Sequence, residues 1–61
     1  MNTKINLHRW KIECFLFEVL NNQEVKDLIR QKQLFAAILL VDELYIYSTK
    51  QLNALVDAIT Y

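Results

Sequence analysis

Residues 7–20 run LHRWKIECFLFEVL, and the period assigned to this stretch decides the fold class. Read at the helical period, Leu7, Trp10, Cys14 and Phe17 fall on one apolar arc with 3-4-3 spacing. Ile12, Leu16, Val19 and Leu20 fall on a second arc. Narrow polar seams part the two arcs, with Lys11 and Glu18 on one side and Arg9 and Glu13 on the other. A helix that is apolar on two sides is buried on two sides. One side then faces the chain's own core and the other wants a partner. Read at period two, Trp10, Ile12, Cys14 and Leu16 alternate with Lys11 and Glu13, which is a strand pattern. Residues 44–47 are also strand-like, and 34–41 suit a buried strand. The second reading gives an α+β order of strand-helix-strand-strand-helix.

The absence of both glycine and proline favours the first reading and leaves the second as the alternative. Tight hairpins draw on Asn-Gly or Asp-Gly for positive φ, whereas helix-to-helix connections need such residues less. The expected fold is therefore all-α, a small three-helix domain over 1–61 with helices near 6–20, 22–43 and 48–60.

Two helix starts carry their own chemistry. Ser48 is followed three residues later by Gln51, a capping-box spacing, and Tyr47 and Leu52 stand at staple positions. Leu52, Leu55, Val56 and Ile59 then form one stripe, and Lys50, Gln51 and Asn53 read as a solvated face. Asn21 with Glu24 repeats the capping box, with Leu20 and Val25 as its staple. Val25, Leu28 and Ile29 begin a stripe, and Phe35, Ala36, Leu39 and Leu40 continue it in phase if the helix is unbroken. A break near Gln33 is the alternative.

A chain of 61 residues is one small domain that buries about 60% of its unfolded surface. Leu, Ile, Val, Phe, Met and Trp fill 25 of its positions, more than so small an interior holds. The excess points to self-association or a partner surface. Cys14 is the sole cysteine, so no disulfide forms within the monomer, and it reads as a small buried hydrophobe in a reducing, cytoplasmic protein. His8 and Cys14 fall short of the four ligands a structural zinc needs, and no cofactor is expected. The longest apolar run, Leu34 to Val41, is too short for a membrane span of about 20 residues. Glu13 and Glu18 interrupt any signal-peptide pattern.

Catalytic chemistry finds no constellation. His8 and Cys14 point apart on a helix, Asp42 and Glu43 are adjacent and diverge, and a phosphate loop needs glycine. The expectation is a protein that is not an enzyme and takes no small-molecule substrate. Seven basic and seven acidic residues cancel, which argues against a nucleic-acid partner, although Lys4, Arg9 and Lys11 make the first twelve residues locally basic. The alternative function is a small dimeric DNA-binding regulator that reads bases with Thr49, Lys50, Gln51 and Asn53 of the last helix. A third is an accessory subunit of a larger assembly.

The stretch from Leu39 to Ile59 loosely resembles the small paired-helix module at the amino end of type II secretion and pilus-assembly ATPases. Ser48, Gln51 and Leu52 match its Ser/Thr-x-x-Gln-Leu helix start, while Tyr45 stands where a turn glycine is usual. The likeness covers a third of the chain and consists of generic helix-start chemistry. The leading expectation is a regulatory or adaptor-like module, homodimeric or bound to another protein. Its interaction surface would be Leu7, Trp10, Cys14 and Phe17, because aromatic anchors dominate interface energetics.

Overall fold

Ser48 and Gln51 do form a capping box. The Ser48 hydroxyl accepts from the Gln51 N–H at 3.2 Å, and Gln51 Oε1 accepts from the Ser48 N–H at 2.7 Å. They open the last helix of a computed structural model that describes residues 3–60. In chain order the elements are β1 (Ile5–Asn6), α1 (Ile12–Leu20), α2 (Gln23–Arg30), α3 (Leu34–Leu44), β2 (Tyr45–Ile46) and α4 (Thr49–Thr60). The described residues thus form a mostly helical domain with four helices, one more than expected, and one small parallel strand pair.

The extra helix comes from a break between α2 and α3. The Lys32 N–H donates to the Ile29 carbonyl and the Gln33 N–H to the Leu28 carbonyl, both at 2.9 Å. Lys32 sits at φ 61°, the left-handed region. These bonds define a Schellman stop, in which glycine usually takes the left-handed position. Here a lysine does, and the break falls where the alternative to one long helix placed it, near Gln33. The break resets the helical phase. Phe35 and Leu39, expected to continue the inward stripe, are 75% and 51% exposed, and Ala37 and Val41 take the buried positions instead.

The cap of α2 also differs by one residue. Asn22 is the N-cap, its Oδ1 accepting from the N–H groups of Glu24 and Val25 at 3.0 and 3.3 Å. Asn21 instead closes α1, where its backbone N–H and Nδ2 both donate to the Phe17 carbonyl at 3.1 and 2.7 Å. With the cap at 22, Leu20 and Val25 are out of staple register. Val25 is core and Leu20 packs against it.

The first helix starts at Ile12, not near residue 6. Ahead of it, Ile5 and Asn6 pair in parallel with Tyr45 and Ile46, and the Leu7 N–H donates to the Ile46 carbonyl at 2.8 Å. A turn follows, closed by the Trp10 N–H on the Leu7 carbonyl at 2.9 Å. Of the α+β alternative, only the piece at Tyr45–Ile46 is strand, and residues 12–16 and 34–41 are helical. β2 begins where Tyr45 turns extended at φ −133°, at the start of a Tyr-Ile-Tyr run that favours such backbone.

α1 packs on α4 and α2 on α3. The result is a slab of 28 × 27 × 17 Å. Helix axes pack about 8–10 Å apart, so this thickness admits a single internal layer of side chains. That layer consists of Leu7, Phe15, Val19, Val25, Ala37, Val41, Tyr45 and Leu55. Every helix therefore keeps an outer face, and Ile12, Phe17, Phe35, Leu39 and Val56 are exposed on helices, with Ile5, Trp10 and Ile46 exposed outside them. No helix among the described residues is long and apolar enough to cross a membrane.

Candidate interaction surfaces

A buried amide, Gln51, explains how the entry to α1 is held. Gln51 is 1% exposed, on the inward side of α4 and not on a solvated face. Besides capping Ser48, its Nε2 donates to the Leu7 carbonyl at 2.6 Å and to the Trp10 carbonyl at 3.0 Å. Its amide oxygen and both amide hydrogens are thereby used. The turn from Leu7 to Trp10 is pinned to α4, and that turn leads directly into α1. Because Gln51 is spent inside the fold, the last helix offers only Thr49, Lys50 and Asn53 at its exposed start. The stripe of α4 is accordingly rotated: Leu55 is buried, while Val56 lies at its exposed margin.

Three of the four expected surface residues lie on the outside. Phe17 is 73% exposed, Trp10 41%, and Cys14 is exposed rather than a buried hydrophobe. At 100° per residue, Phe17 points about 180° away from the bisector of Phe15 and Val19, the two buried residues of α1. Cys14 stands one turn before it, at a spacing that makes the two neighbours on one face. Trp10 precedes the N-cap, Lys11. Leu7 is different. It is fully buried in the core, because residue 7 belongs to the segment after β1 and not to the helix that would have turned it outward. On the opposite arc, Leu16 and Leu20 are half-buried and Val19 is buried, but Ile12 is 40% exposed at the helix end. Phe15, outside both expected arcs, is the centre of the inward side.

A second outward face was not anticipated. On α3, Phe35 and Leu39 stand one turn apart, both exposed, and Asp42 and Glu43 continue the same side. The break at Lys32 produces this face, so only recognition of that break would have found it.

Tyr45 and Tyr47 are structural. Tyr45 is 4% exposed, and its hydroxyl accepts from Asn22 Nδ2 at 3.0 Å, tying the α2 cap to β2. Tyr47 packs against Phe15 with ring centroids 5.9 Å apart and donates to Asp42 Oδ1 at 3.2 Å. Burial raises the Tyr47 pKa above the usual tyrosine value, and the Asp42 charge adds to the effect. Among the described residues no three His, Cys, Asp or Glu side chains gather as a metal site would require. No buried side-chain nitrogen or oxygen among them lacks a hydrogen bond.

The chain matches no family model, no curated protein and no solved structure.

Proposed function

We propose that the protein is a non-enzymatic interaction module, regulatory or adaptor-like, that binds another protein through the outward face of α1. Phe17 and Trp10 are its anchors, with Cys14 between them, and the working unit is a homodimer. The observation that carries this reading is Phe17, a large aromatic ring held directly opposite the buried side of its own helix. Aromatic side chains of this kind supply most of the binding energy where they enter a partner's pocket. The Gln51 bonds to the Leu7 and Trp10 carbonyls support the reading, because they hold the entry to α1 in one conformation before any partner arrives. Less ordering is then left to be done on binding. An exposed thiol on the same face suits a reducing compartment, so the proposed setting is the cytoplasm.

The test is the W10A/F17A double variant. A tagged wild-type chain captures its partner from native extract with nuclease present, and the purified pair is titrated. The double variant should bind on the order of 100-fold more weakly, as loss of two anchors implies, while its thermal midpoint stays close to wild type. Wild-type affinity in the double variant would remove α1 from the interface. Capture that disappears with nuclease would favour the DNA-binding reading.

A further inference from the structure

We infer that the partner at the Trp10 end of the α1 face is an acidic segment, a short stretch of protein chain with carboxylates on either side of an apolar side chain. This names the chemistry of the partner in the proposed function and rests on that reading. Three cations gather at this place. Arg9 and Lys11 flank Trp10 in sequence, and all three residues are exposed. Lys50 joins them from the far part of the chain. It precedes Gln51, whose Nε2 bonds to the Leu7 and Trp10 carbonyls bracket residues 8 and 9 against the start of α4. His8 is exposed in the same turn. The bonds that fix this place run between backbone carbonyls and one amide, and they use none of the charged side chains.

Folding does not account for these charges. Lys11 is the N-cap of α1 and makes no side-chain capping bond. Lys50 stands in the first turn of α4, which holds no acid. A helix start carries partial positive charge, so acids are favoured there and cations are not. Each helix thus has a lysine where an acid or a neutral cap is favoured, and the Gln51 bonds bring the two starts together. Local rules are broken in this way where a chain serves function instead of stability. An anion relieves the repulsion at both starts at once. The half-exposed Trp10 ring between the cations supplies the apolar contact, and the cations form its charged rim. Rim charges of one sign steer a partner of the other sign and fix its register. Glu13, in the first turn of α1, bounds the basic area on that side. A long phosphate chain would run off these cations onto a protein whose seven bases and seven acids cancel. A segment a few residues long would not, so the charge balance favours carboxylates on a protein over nucleic acid.

The probe is a short fluorescein-labelled peptide with glutamates on both sides of a central Leu-Phe pair, titrated with the full chain at low salt and read by anisotropy. The same peptide with glutamine for glutamate and a short oligo-dT strand are the comparisons. The glutamate peptide should bind on the order of tenfold more tightly than the glutamine one, as a few exposed ion pairs imply. That preference should fade at high salt, where charges are screened within a few ångströms. The R9E/K11E/K50E variant should lose the preference with its far-UV circular dichroism and thermal midpoint unchanged, because all three side chains are exposed. W10A should weaken both peptides alike. Equal affinity for the two peptides, binding of neither, or a preference that survives R9E/K11E/K50E would overturn the inference. Tighter binding of oligo-dT than of the glutamate peptide would overturn it too, and would assign the patch to single-stranded nucleic acid. The two readings fail separately. Binding of the captured partner that is lost in W10A/F17A and kept in R9E/K11E/K50E sinks the acidic segment alone. Binding kept in W10A/F17A and lost in R9E/K11E/K50E sinks the aromatic anchors and leaves the basic patch.

Discussion

Gln51 and Phe35 sit in opposite places from those their chemistry suggests. The amide is sealed in the core at 1% exposure, and the phenyl ring stands out in solvent at 75%. The contrast teaches that side-chain polarity did not choose the positions. Gln51 is tolerated inside because each of its hydrogen-bonding atoms meets a partner, and a satisfied buried amide costs little. Phe35 is outside because the break at Lys32 turns its side of α3 away from the core.

The largest effect should come from breaking the inner half of this comparison. In Gln51→Glu the carboxylate keeps one oxygen for the Ser48 cap but turns the other toward the Leu7 and Trp10 carbonyls, which have no hydrogen to offer. An uncompensated buried charge costs about 3–5 kcal/mol, comparable with the whole stability of a core this small. The variant's carboxyl is held protonated in the folded state, so its folded pKa lies above the unfolded value of about 4.3. Stability is then fully present below that unfolded value and is lost as pH rises through the folded pKa. Urea melts should find Q51E folded near pH 4 and largely unfolded at neutrality, where the wild type stays folded. A variant equally stable at both would show that the two carbonyl bonds contribute nothing.

A smaller effect tests whether the other polar link between distant segments works the same way. Asn22 caps α2 through its oxygen and donates to the buried Tyr45 hydroxyl through its nitrogen. Asn22→Ala should cost about 1–2 kcal/mol, the sum of a lost cap and a lost buried hydrogen bond. Asn22→Asp keeps the cap, and the Tyr45 hydroxyl can donate to the new carboxylate, so it should recover most of that loss. An aspartate variant as unstable as the alanine one would show that the amide nitrogen itself is required.

What could be read from the chain follows the reach of each signal. The Ser48–Gln51 box is local, and it placed the start of α4 correctly. The second role of Gln51 was invisible, because the two carbonyls it serves lie more than forty residues earlier. Phe17 was legible as an outward residue, since two apolar arcs on one helix cannot both face the same core. Leu7 was assigned to that outward arc only by extending the helix through residues that instead form β1 and a turn. The capping-box spacing to Glu24 pointed to Asn21, which closes α1, whereas its neighbour Asn22, with Val25 at that spacing, opens α2. The α3 face belongs to the alternative with a break near Gln33, which a stop without glycine left less favoured than one long helix.

That stop is the hinge of the whole comparison, and Lys32→Gly tests it with the sign of a single number. If residue 32 is left-handed, glycine removes the clash of Cβ with the following carbonyl and should stabilise the domain by about 1 kcal/mol. If residues 22–43 were one continuous helix, glycine would sit mid-helix and destabilise by a similar amount. Chemical denaturation separates the two. A gain in stability means that the phase reset is built into the backbone and that Phe35 and Leu39 face outward because of it. A loss would return those two residues to the inward stripe.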